Sequence, residues 1–414
     1  MALNQPLPQG VTDLYAQEYE LKQTIIDRLK QLYHHYGCQP IQTPTFEYYD
    51  LFMNIPGTMN DDQMIKLIDT DGKVLVLRPD ATVPIARMAS QAKSDMPLLN
   101  KMYYVTNIFR MESGESDRTS RSFSQVGVEW FDDGRELNDI EMVILAVDTL
   151  KQIEVSDIQL ELGQAGFFRA LMDEAQLDAE TEALIQAKLE AKNEYELSDL
   201  LESLQVSDEV KQALLRLPHL FGEANHVLKD AKSVAINDQM AKALDQLTGL
   251  VEHLTELGYA DYISIDLGLV NHLNYYTGVM FQGYVEGYGK PVIQGGRYDQ
   301  LMTYFNLESS AIGFGVYIDD LLRIVKQQQT LQLEEPNQAV ILTNHTTTKE
   351  AFSLAQSLRQ NQIVTSIAYE DDVVDESSII IDIVSKTVNI NGDKQPFETI
   401  DQVLTKVGIT YGTD

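Results

Sequence analysis

The 414-residue chain sets 31 Lys and Arg against 63 Asp and Glu, a net charge of −32 with a pI near 4.4 and no run of clustered Lys or Arg, which counts against a nucleic-acid-binding role. Its 44% hydrophobic and 23% charged content is that of a globular chain long enough for two or three domains, and no apolar stretch reads as a signal peptide or membrane helix. The single Cys38 excludes an internal disulfide or a cysteine metal cluster, reads as a small buried filler, and suits a reducing cytoplasm.

In chain order, Pro6–Asp13 is turn-rich, and Asp13 is expected to cap a helix over Tyr15–Tyr36. Leu21, Ile25, Leu29 and Leu32 recur there at helical spacing, with Gly37 as the stop. Pro40–Tyr48 reads as one extended edge segment. Val74–Arg78 predicts a short strand running into Pro79-Asp80-Ala81-Thr82 and a helix through Arg87. A carboxylate and a hydroxyl at such a turn fit either a plain N-cap or a ligand contact.

Tyr103–Phe109 and Phe123–Phe131 read as two strands joined by a polar loop that carries Arg118 and Arg121, with Arg110 at the end of the first. Alternation puts Gln125 and Glu129 on one face and Val126, Val128 and Trp130 on the other. The polar face is either the floor for a small zwitterionic ligand or a solvated sheet surface.

Further on, Glu136–Ile153 reads as a helix burying Ile140, Val143, Ile144, Val147 and Leu150. Ile158–Leu162 reads as a strand ending at Gly163, and residues from about 165 to 258 as a helical block without a catalytic constellation. Its His219, His226 and His253 are scattered and read as surface or core residues rather than ligands. The C-terminal segment shows strands at Ala339–Thr343, Ile363–Tyr369 and Ile379–Ser385, with a helix at Thr348–Gln360. It carries Glu370-Asp371-Asp372 and Asp375-Glu376 where an RNA-binding module would carry bases.

FRMES…RSFSQVGVEWF resembles motif 2 of the class II aminoacyl-tRNA synthetases, in their histidyl branch. Leu77–Arg87 (LRPDATVPIAR), Leu273–Gly278 (LNYYTG), Gly295–Asp299 (GGRYD) and Ala311–Leu322 (AIGFGVYIDDLL, similar to motif 3) fit the same branch in the right order along the chain. Pro40–Tyr48 resembles motif 1, whose family role is the dimer interface. The resemblance implies an α+β fold: an antiparallel sheet with flanking helices over 1–325, a helical insertion at about 165–258, and a small C-terminal α/β domain at 336–414 resembling a reduced anticodon-binding domain.

The resemblance also implies a histidine pocket made by Asp80, Thr82, Arg110, Gln125, Glu129, Tyr275 and Tyr276. Asp80 and Thr82 match residues that hold the ammonium, with Asp80 one methylene shorter than the usual glutamate. Glu129 and Tyr276 match residues that hold the imidazole, which needs an acceptor for its ring N–H. Tyr275 and Tyr276 also suit a plain core strand. Gly295 and Gly296 are expected to let backbone approach a ligand.

The ATP side departs from the family. Carboxylate attack on ATP builds negative charge at phosphorus, which a cation must offset, and losing one such contact costs on the order of 100-fold or more in rate. Asn271 and His272 stand where the synthetases have an arginine-glycine pair, and Asn274 replaces the acid of L-D-Y-Y. Asp320 stands where motif 3 has its arginine, with Arg323 three residues on, and Ser113-Gly114-Glu115-Ser116-Asp117 brings acids into motif 2.

Kept amino-acid recognition with lost ATP chemistry resembles the regulatory subunits of ATP phosphoribosyltransferase, synthetase paralogues of bacterial histidine biosynthesis. That resemblance implies a subunit with no catalytic activity and no cofactor or metal. The same resemblance implies a self-dimer that joins a short catalytic subunit in a hetero-octamer and takes histidine as effector. Two rivals stay open: an active histidyl-tRNA synthetase, and a synthetase-like binding module with another partner.

Overall fold

The computed structural model describes residues 6–55, 57–91, 100–111, 120–270, 276–331, 333, 338–374, 379–390 and 392–407. The chain forms two compact units, Met1–Leu331 and Gln332–Asp414.

The first unit opens with α1 (Ala16–His35), which buries Ile25, Ile26, Leu29 and Tyr33 against the main core, while Leu21 and Leu32 pack at its margin. Gly37 ends it in the left-handed region at φ +77°. Asp13 does not cap it: the N-cap is Tyr15, and no side chain supplies the bond. The expected single segment after the helix is two strands in two sheets, β1 (Gln39–Ile41) and β2 (Phe46–Tyr48), followed by α2 (Tyr49–Met53). β2 pairs with β4 (Val74–Leu77), and β4 with β3 (Lys66–Ile68), in a separate three-stranded sheet.

Arg78 fixes where that small sheet meets the large one. Its buried guanidinium donates to the carbonyls of Thr43 (2.9 Å), Pro44 (2.7 Å) and Asn107 (3.1 and 3.2 Å). Carbonyl partners meet the requirement that a buried cation keep its hydrogen bonds. The helix α3 (Thr82–Ser90) follows.

Among the described residues the large sheet has nine strands. It runs from β1 through β5 (Lys101–Phe109), β6 (Ser122–Asp132), β12 (Ser310–Tyr317), β11 (Tyr288–Arg297), β10 (Val279–Val285) and β7 (Ile158–Gln164) to β9 (Ile263–Asp266) and β8 (Phe221–Gly222). Its middle is antiparallel, as expected, while β1–β5 and β7–β9 pair parallel towards the two edges. One face carries the main core under α1, α4 (Glu136–Gln152), α5 (Ala165–Ala175), α10 (Asp238–Glu256) and α12 (Ile318–Gln328). Cys38 is buried there, and burial pushes its thiol up to about 11. The opposite face holds a smaller core with α3 and α11 (Asp299–Thr303).

The insertion is helical, through α5, α6 (Ala179–Glu190), α7 (Glu194–Ser203), α8 (Asp208–Arg216), α9 (Ala224–Ala231) and α10, but it also lends β8 to the sheet edge. His219, His226 and His253 are each more than half exposed, beside Glu194, Asp230 and Glu136 respectively.

In the second unit, β13 (Gln338–Thr343), α13 (Thr348–Gln360) and β14 (Val364–Tyr369) form a parallel βαβ element. β15 (Ile379–Asp382) pairs parallel with β13 and antiparallel with β16 (Thr387–Ile390), which pairs with β17 (Asp393–Pro396) ahead of α14 (Ile400–Lys406). β15 stops short of Ser385 because the Asp382 carboxylate accepts the Ser385 N–H at 2.9 Å, closing a turn into β16. Asp372 accepts the Tyr369 N–H at 2.8 Å, so part of the expected acidic run serves a turn; Asp375 and Glu376 lie outside the described residues.

Candidate functional site

The polar face of β6 is buried: Gln125 is 9% exposed and Glu129 2%. The solvated-surface reading is therefore wrong, because the second layer of α3 and the β11–α11 junction covers this face. Asp80, Thr82, Tyr104, Arg110, Gln125, Glu129 and Tyr276 line one cavity together with Gln294, Tyr298, Gly313 and Tyr317. Six of the seven nominated residues thus meet. Tyr275 lies outside the described residues, as do Asn271, His272, Asn274, Arg118 and the stretch 113–117.

Register explains the assembly. On β6 the polar residues are two apart, and the antiparallel ladder sets Glu129 beside Gly313 and Gln125 beside Tyr317 of β12. A methyl at Gly313 would overlap the Glu129 carboxylate, and one at Gly315 would overlap the Gln125 amide. Glycine at these two positions is the space in which the polar side chains lie flat. Gly295 and Gly296 do something else: their faces are covered by Phe314 and Phe281, and by Tyr276, so they admit neighbouring rings rather than a ligand.

The Glu129 carboxylate is held from both sides. Thr82 Oγ1 donates to Oε1 at 2.7 Å and the Tyr298 hydroxyl donates to Oε2. Those bonds favour the charged form, but burial outweighs them, with Asp80 adding to it, and lifts Glu129 to about 8. Thr82 therefore faces an acid rather than capping its helix. Asp80 does act as a cap, accepting the Val83 N–H at 2.9 Å. Burial also raises the Asp80 carboxyl, against the pull of the Val83 N–H and Arg110.

Arg110 is the one cation among the described residues that line the cavity. Its Nε donates to the Pro79 carbonyl at 2.7 Å, and its guanidinium lies 5.8 Å from the Phe123 ring centre. Tyr104 donates to the Gln125 amide oxygen at 3.1 Å, and Tyr317 to that of Gln294 at 2.7 Å. The Tyr276 carbonyl accepts from Arg169 Nη2 at 2.7 Å.

The sequence reading missed Tyr104, Tyr298, Gln294 and Tyr317. Tyr104 had a signal, since it sits opposite Gly127 on the face that Gln125 and Glu129 share, and Gly127 is the gap its hydroxyl fills. Tyr298 stood inside GGRYD beside Arg297, which is anchored by Asp132 (3.1 Å), Asp139 (2.6 Å) and Asp299 (3.3 Å). Gln294 and Tyr317 had none beyond their strands.

Asp320 does not face the cavity. It is buried on α12 and accepts from Tyr288 at 2.6 Å, while Arg323 is largely exposed 4.0 Å away. The neighbouring Asp319 takes Lys22 (2.6 Å) and the Ser124 N–H (2.8 Å). Carboxylates in this first turn also complement the helix dipole.

Fold and site together define a class II synthetase-like protein of the histidyl type, and residues 10–321 match the histidyl-tRNA synthetase family. A protein from Oceanobacillus iheyensis named ATP phosphoribosyltransferase regulatory subunit is 32% identical over 398 residues, 95% of this chain and 96% of that one. One of the same name from Clostridium botulinum is 32% identical over 371 residues, 89% and 87%. The chain belongs to the ATP phosphoribosyltransferase regulatory subunit family. Among solved structures, an ATP phosphoribosyltransferase regulatory subunit/histidyl-tRNA synthetase from Bacillus halodurans aligns with TM-score 0.79 and 31% identity over 92% of this chain and 98% of that one. Histidyl-tRNA synthetase from Nostoc sp. PCC 7120 aligns at 0.76 with 19% identity over 98% and 99%, which shows the shared fold.

Proposed function

We propose that this chain is a non-catalytic, cytoplasmic regulatory subunit that binds histidine in the Glu129 cavity. With a short catalytic subunit it forms the ATP phosphoribosyltransferase of histidine biosynthesis, making that enzyme active and sensitive to histidine. The observation that carries this reading is the buried Glu129 carboxylate, gripped by Thr82 and Tyr298 and raised to about 8 by burial. A ring N–H or an imidazolium set against it would offset part of the desolvation. Asp80, with Thr82 beside it, offers the ammonium a partner, and Arg110 offers the carboxylate one.

Absence of catalysis is supported by Asn271 and His272, which cannot supply the fixed positive charge that adenylate formation needs. Feedback requires histidine to bind the inhibited arrangement more tightly than the active one. Self-dimerisation through the motif 1 region, and the hetero-octamer, belong to this same reading.

The test is to mix the purified chain with the short catalytic phosphoribosyltransferase of the same organism and follow phosphoribosyl-ATP formation with and without histidine. Activity that needs the chain and falls with histidine is expected. Retention of Arg110 keeps a second reading, an active histidyl-tRNA synthetase. Histidine-dependent ATP–pyrophosphate exchange by the chain alone, with no effect on the transferase, would establish it instead. A synthetase-like module with another partner would show neither activity.

A further inference from the structure

A second cavity of about 300 Å³ opens between α5, α6 and the chain around Tyr276 and Met280. That volume lies at the lower end of small-molecule sites. Its floor is apolar, with Phe168, Met172, Leu269, Val270 and Met280. Arg169 and Glu182 also line it, one charge of each sign, and they come from different helices.

Each charge is incompletely answered among the described residues. Arg169 has one hydrogen bond, from Nη2 to the Tyr276 carbonyl. Guanidinium carries five donors, so most of its capacity is left for an anion. Glu182 has no ion pair there; its carboxyl is pushed up by burial and by the nearby Asp173 and Asp178, surroundings that favour an arriving cation. Gln186 adds a polar group to the same wall.

We propose that this cavity is a second small-molecule site, built for an apolar or aromatic α-amino acid, with Arg169 taking the carboxylate, Glu182 the ammonium and the apolar floor the side chain. Tyr276 borders both this cavity and the Glu129 cavity, and Arg169 grips its backbone. Occupancy here therefore changes histidine affinity, a consequence that rests on the histidine reading above, whereas the site itself does not.

L-phenylalanine is the probe, titrated calorimetrically onto the full chain with and without saturating histidine. Saturable binding that persists under histidine is expected. Removing its carboxylate (phenylalaninamide) or its amine (3-phenylpropionate) should weaken it about tenfold or more, as loss of a hydrogen-bonded charge does. Ala183→Phe, on the exposed side of α6, should fill the cavity and abolish phenylalanine binding while histidine still binds saturably to a folded chain. Arg169→Met should weaken phenylalanine more than it weakens phenylalaninamide.

Absence of saturable binding overturns the proposal. So does phenylalanine that histidine displaces and that Glu129→Gln, but not Ala183→Phe, abolishes, because the probe then sits in the first cavity. If histidine itself does not bind, the proposed function fails, and the phenylalanine titration still decides the second site.

Discussion

The carboxylate of Glu129 lies across the face of Gly313, in the space where any other residue would place its Cβ. The ladder between β6 and β12 makes these two residues direct partners, so the acid can fold flat only over a strand that lacks a side chain at that point. This relationship turns a strand face into a site with a buried acid, and it gives a direct test.

Gly313→Ala should force Glu129 off Thr82 and Tyr298. The added methyl also meets the Val128 carbonyl, so backbone must yield as well as side chain. Overpacking of this kind costs about 1–3 kcal/mol. Urea unfolding should report that loss, with histidine binding weakened in parallel. Gly289→Ala is the control, since no described residue lies within 4 Å of its Cβ position, and its effect should stay within about 0.5 kcal/mol.

Glu129 should make stability fall as pH rises. The folded chain holds this proton to about 8, against an ordinary value of 4.5, so between those values the folded state binds more protons than the unfolded one. Stability contributed by the protonated acid is complete below about 4.5 and is lost progressively towards 8. Glu129→Gln should flatten the profile in that window and be more stable than the parent, relative to pH 5, at pH 8. Urea midpoints across the range measure it; identical slopes in both proteins would refute the assignment. The same variant should bind histidine more weakly while remaining folded.

Tyr298→Phe removes a donor that favours the charged form of Glu129. The acid should then titrate at higher pH, visible in the carboxyl carbon resonance by NMR. Hydrogen bonds to charged groups contribute about 1.5–3 kcal/mol, so histidine affinity at neutral pH should fall by about tenfold or more. An unmoved Glu129 titration would show that the hydroxyl does not reach it.

Arg297→Met should be the most damaging substitution near the site. It strands Asp132, Asp139 and Asp299, of which Asp132 is almost wholly enclosed. Breaking a buried pair from one side costs about 3–5 kcal/mol. Burial raises Asp139 to about 6 even with the guanidinium present. Without it Asp139 takes up a proton more readily, so the penalty should be smaller at pH 5 than at pH 8. Arg297→Lys should recover part of the loss.

Much of this protein was legible from the chain alone, because the relevant forces act within a few residues. Helical spacing located α1 and α4, and period-two alternation put Gln125 and Glu129 on one strand face. The order of the motifs named the fold. Other features depended on contacts between residues far apart in sequence. Thr82 and Tyr298 reach Glu129 from 47 and 169 residues away, through an acid no local pattern marks as buried. Asp320, which stands where motif 3 has its arginine, turns to Tyr288, and Gly295 and Gly296 serve packing rather than a ligand. Alternation along one strand says which side chains share a face. Which strand lies alongside, in what register, and whether a second layer excludes water are set by non-local hydrogen bonds and packing, and only the folded chain decides them.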